Sequence, residues 1–326
     1  DADKTILIQG ELNAQGTVNN QILFTSNQSS PSPGDWHGLS FSVSATPASF
    51  VNGEYVSGSI IEFCTIEYGV ELYAYGGFPF FNHSAIQYMS EKAIAGDYTA
   101  NADLVVTNCN FYYNNKDVVK YEASGQSNIR IIRGNTFSFN GNSGSNATSY
   151  NLLGISYAEI SNNIFSNNVF LAMGIPHSLI SGNYNRIYNN QIINNENAMV
   201  RVEHSRIYSN IFYNNDIGNN GLINFDYGIE TSDSIYYNLF INNSGGSVFY
   251  IDEIKGGYIK NNIIAGNEGS TIIRLEYGDD SNFNFSHNSI INNVGRAFYL
   301  QYPQGIVNVN NNLLSNNTSE EPLIEI

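Results

Sequence analysis

The apolar residues of this chain come as short pairs set between asparagines. The clearest blocks are NTFSFNG (135–141), NNIFSNN (162–168), NNQIINN (189–195), SNIFYNN (209–215), YNLFINN (237–243), NNIIAGN (261–267), HNSIINN (287–293) and NNLLSNN (311–317). Looser copies precede them: FCTIEYG (63–69), SAIQYMS (84–90) and CNFYYNN (109–115). Anchored on the second apolar position, the series is Ile66, Ile86, Phe111, Phe137, Phe165, Ile192, Phe212, Phe240, Ile264, Ile290 and Leu314, at intervals of 20 to 28 residues. A repeat of that length means a solenoid, a propeller or an array. Each repeat holds short alternating runs such as VFYID, IIRLE and NFNFS, broken by Gly, Asn and Ser, and none has helical apolar spacing over a helix-length window.

The pattern predicts an all-β chain: a right-handed parallel β-helix solenoid of roughly 12 coils, three short strands per coil, with Asn ladders at the turns. A leucine-rich repeat shares the period, but Ile and Phe dominate where it would need Leu. Residues 1–326 read as a single β-helix domain, with 1–58 as opening coils bearing longer loops and 59–326 as regular Asn-flanked coils. Two Asn columns follow. One runs Asn135, Asn163, Asn190, Asn210, Asn238, Asn262, Asn288, Asn312; the other runs Asn114, Asn140, Asn168, Asn195, Asn215, Asn243, Asn267, Asn293, Asn317. Asn tolerates left-handed backbone at a tight corner, and its amide can bond the coils on either side. Cys64 and Cys109 fall in the first column with Ser84 between them. Two coils apart is ~9–10 Å, beyond disulfide reach, so they read as buried free thiols.

The strand after the second Asn column repeats as VVKYE (118–122), LLGIS (152–156), MVRVE (199–203), LINFD (222–226), VFYID (248–252), IIRLE (272–276) and AFYLQ (297–301). Residues two apart share a face. Val200/Val202, Ile223/Phe225, Phe249/Ile251, Ile273/Leu275 and Phe298/Leu300 are assigned to the core. Lys120, Arg201, Asn224, Tyr250, Arg274 and Tyr299 then form an outward column, with Glu122, Glu203, Asp226, Asp252, Glu276 and Gln301 beside it. Tyr157, His204, Tyr227, Tyr277 and Tyr302 come immediately after. Carboxylates on successive coils, ~5 Å apart, repel unless compensated. Arg201 and Arg274 are one compensation. Calcium held by Asp226, Asp252 and Glu276 is a second. Raised carboxyl pKa values, suited to acid/base chemistry, are a third.

The candidate catalytic residues are therefore Glu203, His204, Asp226, Asp252 and Glu276, with His204 as the best single base. The candidate substrate-binding residues are Arg201, Asn224, Tyr227, Tyr250, Arg274, Tyr277, Tyr299 and Tyr302. Acids one coil apart would suit a retaining glycosidase and acids two coils apart an inverting one. The same strip, without chemistry, reads as a glycan-contacting face or as a solvated sheet with cross-strand pairs.

Composition narrows the partners. With 13 Lys+Arg against 29 Asp+Glu and a net charge of −16, the 326-residue chain would repel nucleic acid and anionic membrane alike. No apolar run approaches the ~20 residues of a membrane-spanning helix. The start, DADKTILIQG, reads as a mature or trimmed terminus. The 51 Asn residues serve the repeat, not a disordered tract.

The Asn-flanked units resemble the parallel β-helix repeats of pectate lyase-like proteins and of carbohydrate-binding and sugar-hydrolase (CASH) domains, over residues 58–326. The segment ILIQGELNAQGTVNNQILFTSNQSSPSPGDWHGLSF (6–41) resembles the opening coils of secreted or cell-surface β-helix proteins. These motifs are specific for the fold and poor guides to activity. Gly278-Asp279-Asp280 resembles the G-D-D element of polygalacturonases, but the companion N-T-D, G-H-G and R-I-K elements are missing. The D-P-H signature of alginate epimerases and the R-x-P-x-x-R signature of pectate lyases are also absent. The resemblance implies a secreted or cell-surface location and a polysaccharide or cell-surface glycan as partner. Whether the protein is an enzyme is left open by the incomplete motifs. The expectation is a secreted or surface-displayed β-helix module with a glycan-binding or structural/adhesive role. A polysaccharide hydrolase, lyase or epimerase acting at the acidic column is the alternative, and a filament or surface-layer subunit associating end to end is a further one.

Overall fold

The computed structural model describes residues 4–97, 102–121, 127–141, 151–169, 178–219, 221–225, 228–278, 282–303 and 306–325. They form two compact units, Asp1–Ile164 and Phe165–Ile326. In each unit the described residues wind as a parallel β-helix of six coils, every coil placing one strand on each of three faces. In the first unit the first face carries, among others, Trp36–Phe41, Gly69–Ala74 and Val119–Tyr121. The second face carries Phe80–Asn82 and Leu104–Thr107, and the third Cys64–Glu67, Ala85–Gln87 and Asn110–Tyr112. The long loop of the second coil holds an antiparallel hairpin, Ser49–Val51 with Glu54–Ser57.

Within each unit the anchor residues read from the repeat stack on one another. Ile66 pairs with Ile86, Ile86 with Phe111 and Phe111 with Phe137 in the first unit. In the second, Ile192, Phe212, Phe240, Ile264, Ile290 and Leu314 follow in register. All but Leu314 are fully buried. Each such side chain contributes about 1.5–3 kcal/mol through burial, so the column is a continuous source of stability. Face-to-face rings add to it at Phe111–Phe137 and Phe212–Phe240, with centroids 4.8 and 4.7 Å apart.

The Asn columns form hydrogen-bonded ladders at two corners. In the second unit Asn195 donates from its backbone N and Nδ2 to Asn215 Oδ1, both at 3.0 Å. The step repeats from Asn215 to Asn243, Asn267, Asn293 and Asn317. Each Nδ2 also donates back to a carbonyl of the preceding coil, as Asn215 does to Ile192 O. Every donor and acceptor of these buried amides is thereby engaged, which a corner buried away from water requires.

The ladder Asn residues do not themselves take the left-handed conformation. That role falls to the residue before each: Asn194, Asn214, Asn242, Asn292 and Asn316, with φ of 54–56°. The corner splits the two duties between neighbours, one turning the chain and the next reaching inward. Any residue able to bear positive φ serves the first duty, so Tyr68, Tyr88, Tyr113 and Phe139 appear there and stack with centroids 5.1, 5.3 and 5.4 Å apart.

Ser84 and the two cysteines occupy ladder positions as expected. Cys64 N donates to Ser84 Oγ, and Cys109 N to Asn135 Oδ1. Both thiols are free and buried, and burial pushes Cys64 up to about 11 and Cys109 to about 12. No helix is long and apolar enough to cross a membrane among the described residues.

Candidate functional site

The outward column on the first face of the second unit has the register that alternation implied. Ser181, Arg201, Asn224, Tyr250, Arg274, Tyr299 and Glu325 are partners across successive strands. The intervening Val200, Val202, Ile223, Phe225, Phe249, Ile251, Ile273 and Leu275 are buried. Lys120, in the first unit, pairs with Ala95 and Gly154 on the same face.

Two of the candidate acids meet around Arg274. Arg274 Nε donates to Glu276 Oε1 at 2.6 Å, and its Nη2 reaches the same oxygen. The guanidinium lies 5.1 Å from the Tyr250 ring centre and 5.9 Å from that of Tyr299, cation–π geometry on both sides. Glu276 is only 6% exposed, and Arg274 is its ion-pair partner. Asp252, one coil before Glu276, stays exposed. Its carboxyl is raised above the usual carboxylate range by partial burial and by the neighbouring Glu276. The Tyr250 phenol is raised by burial and by the same two acids. The cluster is thus a carboxyl pair on adjacent coils, about one inter-strand spacing of ~4.8 Å apart, clasped by an arginine between two aromatic rings.

Glu203 pairs in register with Asn183 and is half-buried. His204, expected as the base beside it, sits at the next corner with φ of 48°, which turns its ring away from the strand's outward row. The imidazole stacks on Tyr184 at 4.5 Å, with Nδ1 3.3 Å from Glu230 Oε2 and 3.4 Å from Ser232 Oγ. Beneath this corner is a residue that the repeat pattern did not single out. Asp233 is fully buried, accepts the Ser205 amide at Oδ1 and the Glu230 amide at Oδ2 (2.8 Å), and is pushed up to about 6 by burial. It continues a third ladder in which Asn185 N donates to Ser205 Oγ at 3.0 Å. The signal in the sequence was the Asn185, Ser205, Asp233 column, too varied in residue type to stand out.

Asp226, Tyr227, Asp279 and Asp280 lie outside the described residues, as does Glu122. Tyr277 and Tyr302 belong to the strands Glu268–Gly278 and Val294–Pro303. Among the described residues no three His, Cys, Asp or Glu side chains converge on a point that could hold a metal ion. At Glu276 the compensating charge is Arg274.

A separate concavity of about 610 Å³ opens where the first-face strands begin, over Gly245, Gly269 and Gly295 and beside Glu268, Glu320 and Glu321. These glycines are required by close backbone approach. A Cβ on Gly295 would come within 1.7 Å of Gly269 O, and one on Gly269 within 2.2 Å of Gly246 O. Nothing in the repeat pattern signalled it, because it depends on how tightly adjacent coils pass.

No family model and no curated protein matches the chain. Among solved structures, the A-module of the mannuronan C-5 epimerase AlgE6 from Azotobacter vinelandii aligns with 98% of this chain and 89% of its own. The identity is 12% and the TM-score 0.23. So loose a superposition says nothing about activity.

Proposed function

We propose that the chain is a glycan-binding β-helix module whose contact surface is the first face of the second unit. The observation that carries this reading is the clasp of Arg274 between Tyr250 and Tyr299, with Glu276 beneath it and Asn224, Asp252 and Gln301 nearby. Such a surface offers fixed donors, acceptors and aromatic edges at a regular spacing, which suits hydroxyl-rich polymers. The Glu276 carboxylate is already engaged by Arg274, an arrangement that favours binding over catalysis. Display outside the cell and a structural or adhesive role fit the same polar surface and belong to the same proposal.

A second reading rests on Asp252 and Glu276. Adjacent carboxyls with one raised are the arrangement of a retaining glycosidase, whose acids stand ~5–5.5 Å apart. One experiment separates the two. A panel of neutral and acidic polysaccharides is passed over the immobilised protein with and without calcium, recording retention together with new reducing or unsaturated ends. Retention without new ends is the expected result. New ends that vanish in Glu276→Gln or Asp252→Asn would establish the enzyme instead, and no retention of any polysaccharide would remove both readings. Retention that needs calcium would restore a cation site at Asp226, Asp252 and Glu276.

A further inference from the structure

The second face of the second unit differs in chemistry from the first. Its strands Arg186–Tyr188, Arg206–Tyr208, Ser234–Tyr236 and Tyr258–Lys260 are in register, with a fully buried Ile at each centre. The first and third side chains of Arg186–Tyr188, Arg206–Tyr208 and Tyr258–Lys260 turn away from the core, as does Tyr236, whereas Ser234 is buried. The third positions build a stack: Tyr188, Tyr208 and Tyr236 lie face to face, with centroids 4.9 and 5.0 Å apart and planes within 5°. Lys260 then follows Tyr236 in register, its Nζ 4.3 Å from the Tyr258 ring centre.

Two observations set this strip apart from an ordinary cross-strand aromatic ladder. None of its outward positions is acidic, although acids outnumber bases 29 to 13 in the chain. The next two strands, Asn282–Ser286 and Ile306–Asn310, extend it with Asn284, Ser286, Asn308 and Asn310 and again no acid. Moreover, Arg206 and Lys260 form no ion pair among the described residues. In so acidic a protein a carboxylate neighbour would be the ordinary fate of a surface cation. Here two cations stand without one on a single face.

The geometry specifies the occupant. Arginine and lysine side chains only donate hydrogen bonds. The Tyr236 phenol, raised by burial and by Tyr208 and Tyr258, stays protonated and can donate as well. The inner ring faces of the stack are covered by their neighbours, so a sugar cannot lie flat on them; ring edges and hydroxyls are what a ligand meets. Arg206 and Lys260 are two coils and two residues apart, roughly 12 Å by strand geometry. One phenol per coil falls between them, a spacing comparable to one sugar residue of an extended chain. We infer that this strip is a second docking surface, for an anionic polysaccharide lying along the coil stack across Arg206, Tyr208, Tyr236 and Lys260. It is independent of the first-face reading, because no residue is shared.

The test uses the purified chain titrated with polygalacturonate as carboxylated probe, dextran sulfate as sulfated probe and dextran as neutral probe, at low and high salt. The variant is Arg206→Gln/Lys260→Gln, and Arg206→Lys/Lys260→Arg is the charge-conserving control. Tyr250→Ala/Tyr299→Ala reports on the first face, and melting temperatures verify that each variant folds. The expected result is salt-sensitive binding of at least one anionic probe, weakened about tenfold in the Gln variant through loss of two charge-assisted contacts. Binding should persist in the charge-conserving control and in Tyr250→Ala/Tyr299→Ala. Binding by only one of the two anionic probes would identify the recognised group. Equal affinity for dextran, no affinity for either anionic probe, or an unchanged affinity in the Gln variant would overturn the inference. Loss confined to Tyr250→Ala/Tyr299→Ala would overturn it too and assign all binding to the first face.

Discussion

Glu276 and Asp233 are both buried acids, but the fold treats them differently. Glu276 is held by Arg274, so Arg274→Gln should leave an unpaired buried carboxylate and cost about 1–3 kcal/mol. Denaturant titration checks this, and Arg274→Gln/Glu276→Gln should recover most of the loss. Asp233 accepts two backbone amides and forms no ion pair among the described residues, and burial raises its pKa from 3.8 to about 6. Because the folded value lies above the unfolded one, Asp233 costs nothing below about pH 4. Its penalty grows as pH rises through 6 and stays constant above. A shift of this size corresponds to about 3 kcal/mol. Melting curves of the wild type and Asp233→Asn should therefore diverge between about pH 4 and 6 and run parallel above; a constant difference at every pH would contradict the assignment. Alternation alone made Val200, Arg201 and Val202 legible. It could not reveal where His204 points, because that depends on one residue's left-handed backbone, nor Asp233, whose column mixes Asn, Ser and Asp.

A corner joins two functions in adjacent residues, and substitution can separate them. Asn243→Ala removes an acceptor used by Asn215 and a donor to Phe212 O and Asn267 Oδ1. It should cost about 2–4 kcal/mol, since the partners are left buried and unsatisfied. Asn242→Ala strains only a left-handed residue and should cost about 1–2 kcal/mol, with Asn242→Gly close to neutral. Equal losses at the two positions, measured by chemical denaturation, would refute the division of labour. In the strand, Phe212→Ala should cost about 3–5 kcal/mol, because its buried ring is in register with Ile192 on one coil and stacks on Phe240 of the next. The strands and their stacking were legible because each coil repeats the same apolar pair at the same distance from its asparagines. Which Asn turns the chain was not, since both neighbours are often Asn and only backbone angles tell them apart. The glycine-floored concavity was hidden for a related reason: it arises between coils, where the sequence gives no distance.

The repeat leaves outward-facing columns free to vary, and function has to be sought there. On the second unit, one such column combines arginine, asparagine and tyrosine with a compensated acid, while another face gathers tyrosines with Arg206 and Lys260, which form no ion pair among the described residues. A chain with net charge −16 would repel acidic polymers at long range; local cations without carboxylate neighbours are what would allow their approach. Fold-level resemblance could not distinguish these surfaces, because stacked coils build the same columns whatever residues fill them. The most direct measurement is a titration of one retained polysaccharide into wild type, Tyr250→Ala/Tyr299→Ala and Arg274→Gln under identical conditions. Affinity falling at least about tenfold in both variants, with the melting temperature of the tyrosine variant held, is the expected result for loss of aromatic and charge-assisted contacts. Unchanged affinity in the tyrosine variant would contradict the assignment of the first face as the glycan-contacting surface.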